Sequence, residues 1–202
     1  MTKAQPVLHE LYPDTHHDTY SKTLFGFWIF LVTDFMLFAT LFATYAVLGT
    51  HTFGGPSGKE LYHPPLILVQ TLILLLSSCM AGLGGASAHR ANKALTLTFF
   101  ALTFLFGLLF MGIETLQFTA MIREGFTWRI SAFLSIFYSL VGIHGLHLLF
   151  ALLWTLLFLL PLFFRPITPV DLRRLTCLRM FWQFLNIVWV FIFTVVYMGG
   201  IA

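Results

Sequence analysis

The sequence predicts an all-α membrane protein, a bundle of five transmembrane helices. Three observations carry this. The 202 residues are 58% hydrophobic and only 9% charged, with 24 phenylalanines, far outside soluble averages. Five apolar runs, at 24–49, 66–88, 94–122, 130–164 and 180–202, each reach the ~20 residues that a bilayer crossing needs. The short alternating segments that build a transmembrane barrel do not occur.

Each element follows in order. Residues 1–23 form a polar N-terminal tail, expected to be cytoplasmic. Its acids Glu10, Asp14 and Asp18, and the length of the first apolar run, argue against a secretory signal. His9, His16 and His17 belong to this tail and are expected to be mobile there rather than to hold a metal. Residues 24–202 form the membrane domain, with breakers between its spans: HTFGGPSGKELYHPP, HRANK, REGFTWR and RPITPVDLRR. No connector is long enough to hide a second domain, and no internal repeat is visible. Cys79 falls inside an apolar run and Cys177 in a charged loop, which makes a disulfide between them improbable.

Charge sets the orientation. Lys3, Lys22, Arg90, Lys93, Arg165, Arg173, Arg174 and Arg179 fall on the N-terminal side; Lys59, Arg123 and Arg129 fall opposite. Eight basic residues against three put the N-terminus in the cytoplasm and the C-terminus outside. The net charge of +3 is accounted for by these short loops and needs no nucleic acid.

Ionisable groups inside a membrane are costly, so each is a functional candidate. There are four: Asp34, Glu114, His144 and His147. Gln70, Gln117, Gln183 and Asn186 join them as neutral interhelical polar groups. Helical spacing sorts these residues into stripes. The second helix carries Gln70, Ser77, Ala81, Gly84 and Ala88. The third carries Thr103, Gly107, Glu114 and Gln117. The fourth carries His144, His147, Ala151 and Thr155. Small and polar residues on one stripe mark helix–helix contact.

Asp34 sits ~15 Å into the first helix, near the midplane. Desolvation there favours a neutral carboxyl, bonded to a neighbouring helix or facing a partner as a proton-linked group. His144 and His147, three apart in VGIHGLHLLF, share one side of one helix. They cannot grip a haem iron from opposite faces, and a non-haem metal would need more ligands, with Glu114 the one obvious third. Packed hydrogen bonding is the favoured reading, and proton conduction the alternative. Glu114 lies ~30 Å along its helix from Ala94, and His144 ~24 Å from Leu160 on the next, antiparallel helix. Both are thus in the outer half of the membrane. Glu114 is expected to reach His144 or His147, directly or through water, with Gly142 and Gly145 permitting close approach.

Three motifs add a resemblance. The stretch FGFWIFLVTDFMLFATLFATY resembles the helix of haem–copper oxidase subunit III that carries an acid in an S-E/D-x-x-x-F setting, and Asp34 falls on the acid. VGIHGLHLLF matches the family's G-x-H-G-x-H helix. WQFLNIVWVFIFTVVY is similar to its last helix, W-H-F-x-D-x-x-W. The loop FGGPSGKELY and the five-helix length resemble the bo-type ubiquinol oxidases more than the seven-helix cytochrome c oxidases. Three positions depart from the family, since Gln117, Gln183 and Asn186 stand where it has ionisable residues.

The resemblance implies an accessory subunit without a catalytic residue, metal or redox cofactor of its own. Haem and copper, quinol oxidation, dioxygen reduction and proton pumping would belong to subunit I of a bacterial cytoplasmic-membrane complex. It further implies bound phospholipid, and Arg90, Lys93 and Arg173 are the candidates for its headgroup. A stand-alone transporter or proton channel is the alternative. That reading favours broken helices or an inverted repeat about a midplane site. The runs here look continuous, apart from Pro161 near a helix end.

Overall fold

A computed structural model describes residues 19–52 and 64–201. Five helices account for nearly all of them: α1 (Thr19–Leu48), α2 (Pro64–His89), α3 (Lys93–Arg123), α4 (Ala132–Phe164) and α5 (Pro169–Phe191). The last continues through a π-helical stretch, Ile192–Met198, into a turn at Gly199–Ile201. All five are long and apolar enough to cross a membrane, and no strand occurs among the described residues. The predicted class is the observed one. The tail histidines, Lys3 and Lys59 lie outside the described residues.

Local chemistry explains the helix ends. Asn92 caps α3 by accepting from the Leu95 amide at 3.2 Å, and Ser131 caps α4 by accepting from the Leu134 amide at 3.2 Å. Gly125 ends α3 at φ +90°, a conformation that a side chain would strain. Pro161 falls within the last turn of α4, which still runs to Phe164.

The start of α5 differs most from expectation. The helix begins at Pro169 rather than near residue 180, so Arg173, Arg174, Cys177 and Arg179 are helical. Thr168 and Asp171 form a reciprocal capping box, Pro169 opens the first turn, and Arg165 Nη2 donates to Asp171 Oδ1 at 2.9 Å. Hydropathy alone misses this turn because its arginines mask it. The signal was in the sequence nonetheless, as Thr-Pro-x-Asp. Cys177 is accordingly a buried helical residue, not a loop residue; it and Cys79 are both free thiols.

Helices α2 and α3 make the most extensive contact, as an antiparallel hairpin. Ser77 Oγ donates to the Thr103 carbonyl at 2.9 Å. A Cβ placed on Gly84 would fall 2.9 Å from the Phe100 ring, so glycine is what lets the two backbones close. Helix α3 then packs on α4, and α4 on α5. Helix α5 also contacts α2, and α1 lies outside this ring against α4 and α5. The predicted α2 stripe is buried throughout: Gln70, Ser77, Ala81, Gly84 and Ala88 all face inward. On α3, Thr103, Gly107 and Glu114 are buried, as are His144, Ala151 and Thr155 on α4.

Candidate functional site

The two imidazoles of α4 point to different neighbours. Residues three apart on a helix differ by about 60° in direction. That offset sends His144 inward to α5 and His147 outward to α1.

His147 Nδ1 donates to the Ile143 carbonyl one turn back, at 2.8 Å. A carbonyl can only accept, so the proton is on Nδ1, and Nε2 faces α1. There it meets Asp34, with Nε2 3.7 Å from Oδ2. This is within the range of charge attraction but too long for a hydrogen bond. Phe38 and Phe181 flank the ring, with centroids at 5.4 and 6.4 Å. The pair remains partly open, at 20% exposure for the His147 side chain and 14% for Asp34.

His144 is fully buried. Its Nε2 donates to the Leu185 carbonyl of α5 at 3.3 Å. Trp189 and Phe110 border the ring at 5.1 and 6.1 Å. Glu114 is buried one turn from Phe110, and its Oε1 would lie 3.4 Å from a Cβ built on Gly145. The carboxyl therefore reaches α4, as expected, but at Gly145 rather than at an imidazole. The expected direct Glu114–His pairing is not made: His144 bonds to α5, and His147 bonds within its own helix and faces Asp34. Helix rotation is the cause. Gly142 meets nothing within 4 Å, so only Gly145 of the two glycines serves a close approach.

The remaining candidates are scattered. Gln70 is fully buried on α2, and Gln117 is half-buried on α3. On α5, Asn186 is half-buried and Gln183 is exposed, so Gln183 is not interhelical within this chain. Arg90 is exposed, and Lys93 Nζ donates to the Phe163 carbonyl at 3.0 Å, at the end of α4. Arg173 and Arg174 line a groove of about 400 Å³ with Phe27, Trp154 and Val170.

Two pairs escaped sequence reasoning. Trp182 Nε1 donates to Thr155 Oγ1, and Trp189 Nε1 to Thr71 Oγ1, each at 3.1 Å and buried. An indole N–H in hydrocarbon needs an acceptor, and a threonine on an inward stripe is the signal that could have found them.

Among the described residues, no three of His, Cys, Asp and Glu converge as metal ligands. His144 is bonded to α5 and His147 faces α1, so the two imidazoles serve different neighbours. The donor set among the described residues does not fit a haem or copper centre.

The fold and these polar groups define a polytopic helical membrane protein with an acid–imidazole contact near mid-span and a fully buried histidine on α4 bonded to the backbone of α5. Residues 6–201 match the family described as Cytochrome c oxidase subunit III, and the chain belongs to that family. It is 49% identical to cytochrome bo(3) ubiquinol oxidase subunit 3 of Pseudomonas aeruginosa, over 93% of this chain and 90% of that protein. It is 44% identical to the protein of the same description from Pseudomonas putida, over 92% and 89%. Cytochrome c oxidase subunit 3 of Bacillus sp. PS3 is 41% identical, over 88% and 86%.

Proposed function

We propose that the chain is the accessory subunit III of a proton-pumping haem–copper ubiquinol oxidase in a bacterial cytoplasmic membrane. The observation that carries this is near full-length identity of 49% to a ubiquinol oxidase subunit 3. The chain supplies helices, packing surface and a lipid environment to the catalytic subunit, while haem, copper and quinol chemistry belong to that partner. The excess of basic residues on the side of Arg90, Lys93 and Arg173 supports a cytoplasmic N-terminus and tail.

The test is purification from the native membrane under mild detergent. The tagged chain should carry a haem-bearing chain with it and show the reduced-haem spectrum of an oxidase. Reconstituted alone into liposomes, it should pass no ions. Flux from the isolated chain, without any haem-bearing partner, would favour the transporter reading instead.

The same subunit is proposed to hold phospholipid. The groove at Arg173 and Arg174 joins a cationic end to the aromatic walls of Phe27 and Trp154, a shape suited to an anionic headgroup with its acyl chains. Native mass spectrometry should show one or more phospholipids retained. Replacing both arginines with glutamine should reduce that retention several-fold. Unchanged retention would place the lipid elsewhere.

A further inference from the structure

A second groove, of about 520 Å³, opens between α1 and α4 and is lined by Phe30, Asp34, His147, Phe150, Leu153 and Phe181 among others. Its walls are apolar and aromatic. Its polar floor is the Asp34–His147 pair, near the middle of the 30-residue α1 and about 22 Å from its start. No lysine or arginine is among the lining residues. We infer that this groove binds a membrane-dissolved molecule carrying a hydroxylated aromatic ring, of the isoprenoid quinol class. The identity of that molecule rests on the quinol oxidase reading; the geometry of the groove does not.

Three observations select this occupant. The 3.7 Å separation is too long for the acid and the imidazole to satisfy each other, and Asp34 Oδ2 is buried without a hydrogen-bond partner among the described residues, while both side chains line the groove. A ring hydroxyl suits that gap because it both donates and accepts. Nε2 of His147 accepts its proton while its oxygen accepts from a protonated Asp34. If the pair is ionised, the hydroxyl donates to the carboxylate and accepts from the imidazolium. Depth is the second selector. Phosphate headgroups stay at the interface, ~15 Å from the midplane, whereas a neutral ring dissolves in the hydrocarbon region. The third is shape, since Phe150 and Phe181 meet edge-on with centroids 5.9 Å apart, and the open groove leaves space for a tail. Binding alone is inferred, with no redox step in this chain.

The test uses the whole complex in lipid nanodiscs and an azide-bearing ubiquinone analogue as photoprobe. Adducts should map to peptides of α1 and α4, and excess ubiquinol should compete them away while added phospholipid should not. The pair Asp34→Asn and His147→Phe should cut this labelling about tenfold, the equivalent of one or two hydrogen bonds. Leu153→Trp, which fills the groove without touching its floor, should do the same. Gly112→Ala on α3, where nothing lies within 4 Å, should leave it unchanged. Labelling confined to other subunits, or a partner helix or acyl chain seated in the groove of the assembled complex, would overturn the inference. Failure to recover any haem-bearing partner would instead defeat the functional reading beneath it.

Discussion

Gly107→Leu is expected to prevent assembly of the bundle, and Gly107→Ala to destabilise it by about 1–3 kcal/mol. A Cβ at this position on α3 would lie 2.5 Å from Cη2 of Trp182 on α5 and 3.0 Å from Leu152 on α4. Leu152 can turn away. Trp182 cannot, because its ring is 1% exposed and tethered by the bond from Nε1 to Thr155 Oγ1. Yielding to the methyl group would break that bond or part α3 from α5. In hydrocarbon such contacts matter more than usual, since lipid is as apolar as the core and only packing and polar bonds favour helix association. The control lies on the same helix. Gly112→Ala meets nothing within 4 Å and should be neutral, or stabilising by up to ~1 kcal/mol through helix propensity. Unfolding in mixed micelles by a denaturing detergent measures both. Equal effects at the two glycines would refute the packing argument.

The second large effect is expected at Trp189. This residue is fully buried and joins three helices. It meets Phe110 of α3 edge-on at 4.6 Å and His144 of α4 at 5.1 Å, and its indole donates to Thr71 of α2. Trp189→Ala should cost about 3–5 kcal/mol, the usual range for a large aromatic truncated in a packed interior. Thr71→Val should cost about 1–3 kcal/mol, because it keeps the volume but strands the buried indole N–H. Trp189→Phe should then lose little further when Thr71 is already valine, since the donor has gone with its acceptor. If the two losses simply add in that double variant, the hydrogen bond is not what couples them.

Much of the architecture was legible in the chain. Five apolar runs gave five helices, because a buried backbone in lipid has no other way to satisfy its polar groups at that length. The small and polar stripe of α2 was buried as its spacing predicted, while Glu114 lies against α4 at Gly145 rather than at an imidazole. The start of α5 was missed where hydropathy was used in place of capping chemistry, although Thr168, Pro169 and Asp171 signalled it.

Pairing between helices was a different matter. In a soluble helix, the apolar stripe declares which face turns inward. Here the faces are apolar all round, so exposed Leu146 and Phe150 look no different in sequence from buried Leu148 and Leu152. Rotation about each axis was therefore undetermined, and His144 and His147 were read as one pair facing Glu114. The tertiary packing separated them, one to the backbone of α5 and one to Asp34, because α1 docks outside the ring formed by the other four helices. The sequence by itself determined which segments cross the membrane and which polar groups cross with them. Only the tertiary packing, with Gly107 against Trp182 and Gly84 against Phe100, decided which of those groups would meet, since such close contacts set the rotation and the distance of the helices they join.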